Sequence, residues 1–196
     1  TVAGNRAAAG ALGGQTISLS LVAVNTSAAV NATLPMTGAS HTVNETLTIG
    51  ALGSASRGSL DPGTSQTKEV GTKNYTFSSV KWTANSQERV YIKSIRWNQT
   101  GSAGVADITN VKTYVDGVAY DAAVSSDGKY FTTNFPGKGL LVDKGFSKEL
   151  SIKGDVTGGS GRKIDFDIAK RSDVYAVGET YGYGVTPEFG GSVPTA

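Results

Sequence analysis

The sequence predicts an all-β protein: an antiparallel two-sheet β-sandwich, of immunoglobulin-like or jelly-roll arrangement, carrying an extended N-terminal β arm. Three observations lead there. Val111 to Phe135, VKTYVDGVAYDAAVSSDGKYFTTNF, sets two Asp-Gly dipeptides, Asp116-Gly117 and Asp127-Gly128, inside alternating strand sequence. Asp and Gly tolerate the positive φ that a type I′ hairpin turn demands, so the stretch reads as a three-stranded meander. Short alternating segments recur along the chain between Gly-, Pro- and Asn-bearing turns, at the spacing of a sandwich. Finally, 26 glycines among 196 residues, with only 17% charged side chains, describe a turn-rich β protein better than a cytosolic enzyme.

Thr1 to Gln15 is Ala- and Gly-rich without apolar alternation, the composition of a flexible lead-in. From Thr16 to Val24 the pattern sharpens. Ile17, Leu19 and Leu21 share one face, and the chain becomes apolar on both faces at Val22 to Val24, as a buried strand would. VNATL at Val30 to Leu34 and VNETL at Val43 to Leu47 are expected to pair across the turn holding Pro35 and Gly38. Gly50 to Gly63, nearly all small residues ending in Asp-Pro-Gly, is expected to be a linker. The division that follows is 1–62 as arm, strands and linker, 63–187 as the sandwich, and 188–196 as a tail.

Tyr75 to Thr83 and Glu88 to Trp97 open the sandwich. In the second of these Val90 and Ile92 take one parity and Ile95 and Trp97 the other, so a bulge is expected at Lys93-Ser94, where one extra residue exchanges the faces. Gly101 to Asn110 is expected to hold a short helical turn. Leu140 to Val142, Phe146 to Lys153, Lys163 to Lys170, Val174 to Val177 and Tyr181 to Val185 complete the strands. Phe146, Leu150 and Ile152 are expected on one face, and Ile164, Phe166 and Ile168 inward, with Asp165, Asp167 and Ala169 outward.

The formal net charge is +2 with Lys and Arg dispersed, so no nucleic-acid partner is expected. No apolar run approaches the length of a membrane helix, so no membrane span is expected. Cysteine is absent, which removes disulfides and thiol chemistry. His41 is the one histidine, set among Ser and Thr; without a second His or a Gly-x-Ser-x-Gly elbow, a zinc shell or a hydrolase triad lacks its parts. No catalytic residue and no enzymatic activity are therefore expected. The Gly-rich run Gly158 to Lys163 lacks P-loop spacing and is expected to be a hairpin loop. No cofactor is expected, Asp165 and Asp167 on one side of a strand being the candidates for calcium, against a solvated face that discourages edge pairing. Tyr175, Tyr181 and Tyr183 are candidates for stacking a glycan ring, because neighbouring glycines leave ring faces uncovered, against packing in a core or interface.

Five of the nine asparagines, Asn25, Asn31, Asn44, Asn74 and Asn98, have Ser or Thr two places on. Ser and Thr fill 42 of 196 positions, so composition alone would supply about two such sites. The five are candidate N-glycosylation acceptors. An opening at Thr1 without Met or a charged-then-apolar leader is what a mature exported product would show.

The run from Arg57 to Pro187 carries RGSLDPGTSQTKEVG, KSIRWNQTGSAGVADITNVKTYVDGVAYDAAVSSDGKYF, KGFSKELSIKGDV, GGSGRKIDFDI and VGETYGYGVTP. In overall pattern it resembles a β-sandwich module of large secreted, surface-layer-like proteins of small-genome candidate-phyla bacteria, over about two-thirds of the chain. That resemblance implies a cell-surface module with no catalytic residues to carry over. The expectation is thus a non-enzymatic extracellular structural protein that self-assembles on the cell surface as a filament or layer, its partners being identical subunits. Its inter-subunit element is the strand bearing Ile17, Leu19, Leu21, Val22 and Val24, added to a neighbour's sheet edge. The other expectation is a carbohydrate-binding or adhesin module of a larger surface protein.

Overall fold

The computed structural model describes residues 13–44, 46–53, 55–63 and 65–189, and the chain divides into two compact units between Thr48 and Ile49. Most of the Ala/Gly lead-in and of the tail lies outside the described residues.

The first unit carries β1 (Thr16–Ile17), β2 (Ser20–Leu21), β3 (Met36–Thr37) and β4 (His41–Thr42). β1 pairs with β4 and β2 with β3, both antiparallel. Between them two residues, Ser18 and Leu19, oppose three, Gly38 to Ser40, so the four strands form one hairpin with a bulge, tied there by the Gly38 N–H donating to Leu19 C=O at 2.8 Å. The expected pairing of Val30–Leu34 with Val43–Leu47 is not found, for none of the described residues of either segment is in a strand. Asn44 Oδ1 accepts the N–H groups of Thr46 (2.9 Å) and Leu47 (3.2 Å), a local turn that takes those donors from any ladder.

The second unit is an all-β sandwich of antiparallel sheets. Its strands are β5 (Ser56–Arg57), β6 (Tyr75–Thr83), β7 (Val90–Thr100), β8 (Ile108–Val115), β9 (Val118–Asp121), β10 (Ala123–Val124), β11 (Tyr130–Asn134), β12 (Leu140–Val142), β13 (Ser147–Val156), β14 (Asp165–Asp167), β15 (Val174–Gly178) and β16 (Gly184–Val185). One sheet runs β5-β6-β13-β8-β9; the other runs β10-β11-β7-β15-β16, with β12 and β14 also on β7. The long β7 is the spine of the second sheet. Its buried residues change parity between Ile92 and Ile95, and the β15 register shifts at the same place, from Tyr175 opposite Ser94 to Ala176 opposite Ile92, which is the expected bulge. A 3-10 turn at Val105–Asp107 fills the place expected of a helical turn.

The first Asp-Gly pair behaves as its chemistry demands: Asp116 at φ 50° and Gly117 at φ 82° close the β8–β9 hairpin. The second does not. Only Gly128 takes positive φ, and a wider loop from Ser125 to Lys129 joins β10 to β11. The chain changes sheets at Ala122, so the expected meander is two hairpins, one in each sheet.

Gly50 to Gly63 is not a linker. Leu52 and Ala55 are buried, β5 pairs with β6, and Glu188 both donates to Leu52 C=O (3.0 Å) and accepts from Ala55 N–H (2.8 Å), drawing the start of the expected tail into the fold. Small side chains suit this segment because it runs close to its neighbours: a Cβ at Gly50 would run into Glu88. Between the sheets, Phe166 of β14 meets Phe77 of β6 at 5.4 Å and Phe131 of β11 at 5.2 Å. Trp97 Nε1 donates to Thr113 Oγ1 at 3.0 Å, which pairs with Thr133 Oγ1 at 2.9 Å, a polar chain through the core that satisfies the indole. Phe146 departs from expectation: it lies in the turn before β13 and is exposed, while Leu150 and Ile152 are buried.

Candidate functional site

The hairpin of the first unit concentrates the apolar surface. Opposite residues in an antiparallel pair share a face, so Leu21 and Met36 lie together and Ile17 and Leu19 follow on the same parity. Ser20, opposite Thr37, lies on the other face, where their hydroxyls bond at 2.9 Å. Among the described residues of 13–48 none is buried; only Leu34, Val43 and Leu47 are half-buried. Ile17, Leu19, Leu21, Val22, Val24, Val30 and Met36 are all exposed. Leu19, Leu21, Met36 and Gly38 line a shallow hollow of about 490 Å³. The expected Thr16–Val24 strand is therefore interrupted, ends at Leu21, and pairs within its own chain along one edge. The other edge has no ladder partner among the described residues.

The candidate calcium ligands are placed differently from expectation. Asp165 and Asp167 flank the buried Phe166, yet Asp167 is itself 7% exposed, accepting from Asn98 Nδ2 at 3.2 Å. Burial pushes both carboxyls up. Among the described residues no three His, Asp or Glu side chains converge as a metal shell.

Other carboxylates, for which sequence offered no role, tie loops to strands. Glu88, buried, accepts the N–H groups of Gly50 (2.7 Å), Thr180 (2.8 Å) and Tyr181 (3.3 Å). Glu149 accepts from Leu60 N–H (2.7 Å), Ser79 Oγ (2.7 Å) and Ser59 Oγ (2.8 Å). Burial raises the Glu149 carboxyl, and these hydrogen bonds outweigh burial and hold it below its ordinary value. A lone acid gives no periodic signal, so these pins are visible only once the loops are in place.

The three candidate stacking tyrosines are exposed but not assembled. Tyr175 lies on β15, while Tyr181 and Tyr183 belong to the β15–β16 connection beyond Gly178. Three residues of strand put Tyr175 roughly 10 Å from that connection. Of the sequons, Asn25, Asn31, Asn44 and Asn74 are exposed. Asn98 gives its Nδ2 to Asp167, and the Thr100 hydroxyl two places on is buried. His41 stands exposed in β4 opposite Ile17.

No protein-family model, curated protein or solved structure matches the chain. Among the described residues no helix is long and apolar enough to cross a membrane.

Proposed function

We propose that this chain is a non-enzymatic extracellular structural subunit that assembles with copies of itself on the cell surface, through the hairpin of residues 14–43. The observation that carries the reading is a unit with seven exposed large apolar side chains and no buried residue among those described. Soluble monomers rarely hold so much apolar surface together without a partner for it. The second unit, by contrast, has a filled core of its own and acts as the rigid body that the hairpin links.

Self-pairing through one edge leaves the other edge of β1–β2, and the apolar face beside it, for a neighbour. The hairpin adds to the partner as a two-stranded unit, backbone hydrogen bonds setting direction and Ile17, Leu19 and Leu21 setting register. Composition and the sequons Asn25, Asn31, Asn44 and Asn74 support an exported setting. Removing Thr1 to Thr48 is expected to leave a folded second unit that sediments as a monomer and shows no polymer in negative-stain images. Polymers of the truncated chain indistinguishable from those of the full chain would reject the hairpin as the assembly element.

A further inference from the structure

A β-sandwich has to close its two sides, and this one closes them unequally. On one side the chain passes directly from β9 to β10 and carries one sheet into the other. On the opposite side Leu52, Ala55 and β5 join β6 to Glu188 and Phe189. Above these, where Tyr75 and Phe77 of β6 face Ile164 and Asp165 at β14, the seam holds two adjoining hollows of about 410 and 580 Å³. Both are lined by Gln66, Tyr75, Phe77 and Ile164, so they form one cleft, each part within the size range of small-molecule sites.

The lining mixes both signs of charge beside the half-buried Tyr75, and most of the charges are already engaged. Arg57 Nε pairs with Asp61 at 3.3 Å, Arg162 with Asp107 at 2.8 Å, and the Lys68 ammonium lies 5.0 Å above the Tyr75 ring. Asp165 differs. One of its oxygens accepts the Phe166 N–H at 2.8 Å, and among the described residues no cation lies within salt-bridge distance of it. Its carboxyl is held up chiefly by burial and secondarily by Asp61, the mark of an anion short of donors. Lys163 and Gln66 stand in the same hollow as donors.

We propose that this seam cleft binds an uncharged carbohydrate chain. Sugar hydroxyls donate and accept at once, so one ring can give hydrogen bonds to Asp165 and take them from Gln66 and Lys163 while its C–H face lies against the part of the half-buried Tyr75 ring that Lys68 leaves uncovered. An anion would meet Asp61 and Asp165, and a cation would meet Arg57 and Lys163, in the same hollow. The inference is independent of the assembly reading, since every residue it uses belongs to the second unit.

The test is calorimetric titration of the full chain with linear neutral hexasaccharides (cellohexaose, maltohexaose, mannohexaose and chitohexaose), alongside hexagalacturonate and the peptide TVAGNRAAAGAL. The expected result is that at least one neutral hexasaccharide binds once per chain. Asp165→Asn, nearly isosteric, should weaken it about tenfold through the lost charge-assisted bond, with an unchanged circular dichroism spectrum. Joint replacement of Tyr175, Tyr181 and Tyr183 by Ala should leave affinity as it was. The proposal is overturned by the absence of any neutral-saccharide binding at millimolar concentration, by binding of the acidic saccharide or the peptide alone, or by affinity that falls with the tyrosines and not with Asp165.

Discussion

Replacing Leu19 and Leu21 together by Glu attacks the assembly surface where it is most concentrated. Leu19 is 61% exposed and Leu21 49%, so roughly half of each side chain is available for burial against a neighbour. Full burial of a leucine is worth about 1.5–3 kcal/mol, which makes the exposed share about 1 kcal/mol apiece and about 2 kcal/mol for the pair. A carboxylate brought unpaired into the same contact adds at least about 1–3 kcal/mol. The sum, about 3 kcal/mol or more, is roughly a hundredfold or greater loss in association constant per contact. Sedimentation velocity over a concentration series reads this as a shift of the assembly threshold by that factor. Both tryptophans, Trp82 and Trp97, lie buried in the second unit, so their emission reports its folding independently and should not change. An unaltered threshold with intact tryptophan emission would refute the reasoning, because two of the three large apolar side chains lining the hollow would then be irrelevant to contact.

Two other predictions concern the second unit. Glu88→Gln puts an amide against three backbone donors and should destabilise the unit by about 2–4 kcal/mol, read as a lower urea midpoint with unchanged slope; Gly178→Ala, whose Cβ would run into the same carboxylate, should act in the same direction. Stability should also pass through a maximum on acidification. Asp165 and Asp167 are raised by burial, so the stability tied to their protonation is lost as pH rises through their folded values and regained as pH falls from neutral toward the ordinary aspartate range near roughly 4. Asp107, Asp127, Glu149 and Asp155 are lowered, so what they contribute is present above the ordinary range and is lost as pH falls through their depressed values. Thermal melts across acid pH should rise before they fall, and Asp165→Asn should flatten the rise; a monotonic decline would contradict the assignment of those two groups.

What the sequence determined by itself was local. Positive φ at Asp116 and Gly117, the parity exchange at Lys93-Ser94 and the turn at Val105–Asp107 each depend on a few contiguous residues, and each was legible from residue type and spacing. The all-β class follows from many such signals agreeing. Tertiary structure decided the rest. Alternation at β9 and β10 says that both are strands, but not that Ala122 carries the chain from one sheet to the other. Small residues from Gly50 to Gly63 read as a linker because composition cannot reveal that Glu88, 38 residues away, takes the Gly50 N–H, or that the same carboxylate reaches Tyr181, 93 residues away. The exposure of Ile17, Leu19 and Leu21 is of the same kind: alternation marks an apolar face, and only the packed chain shows that none of the described residues of its own unit buries it. Short-range sterics and periodicity are written along the chain, whereas burial and hydrogen-bond satisfaction belong to pairs of distant residues and exist only after folding has brought them together.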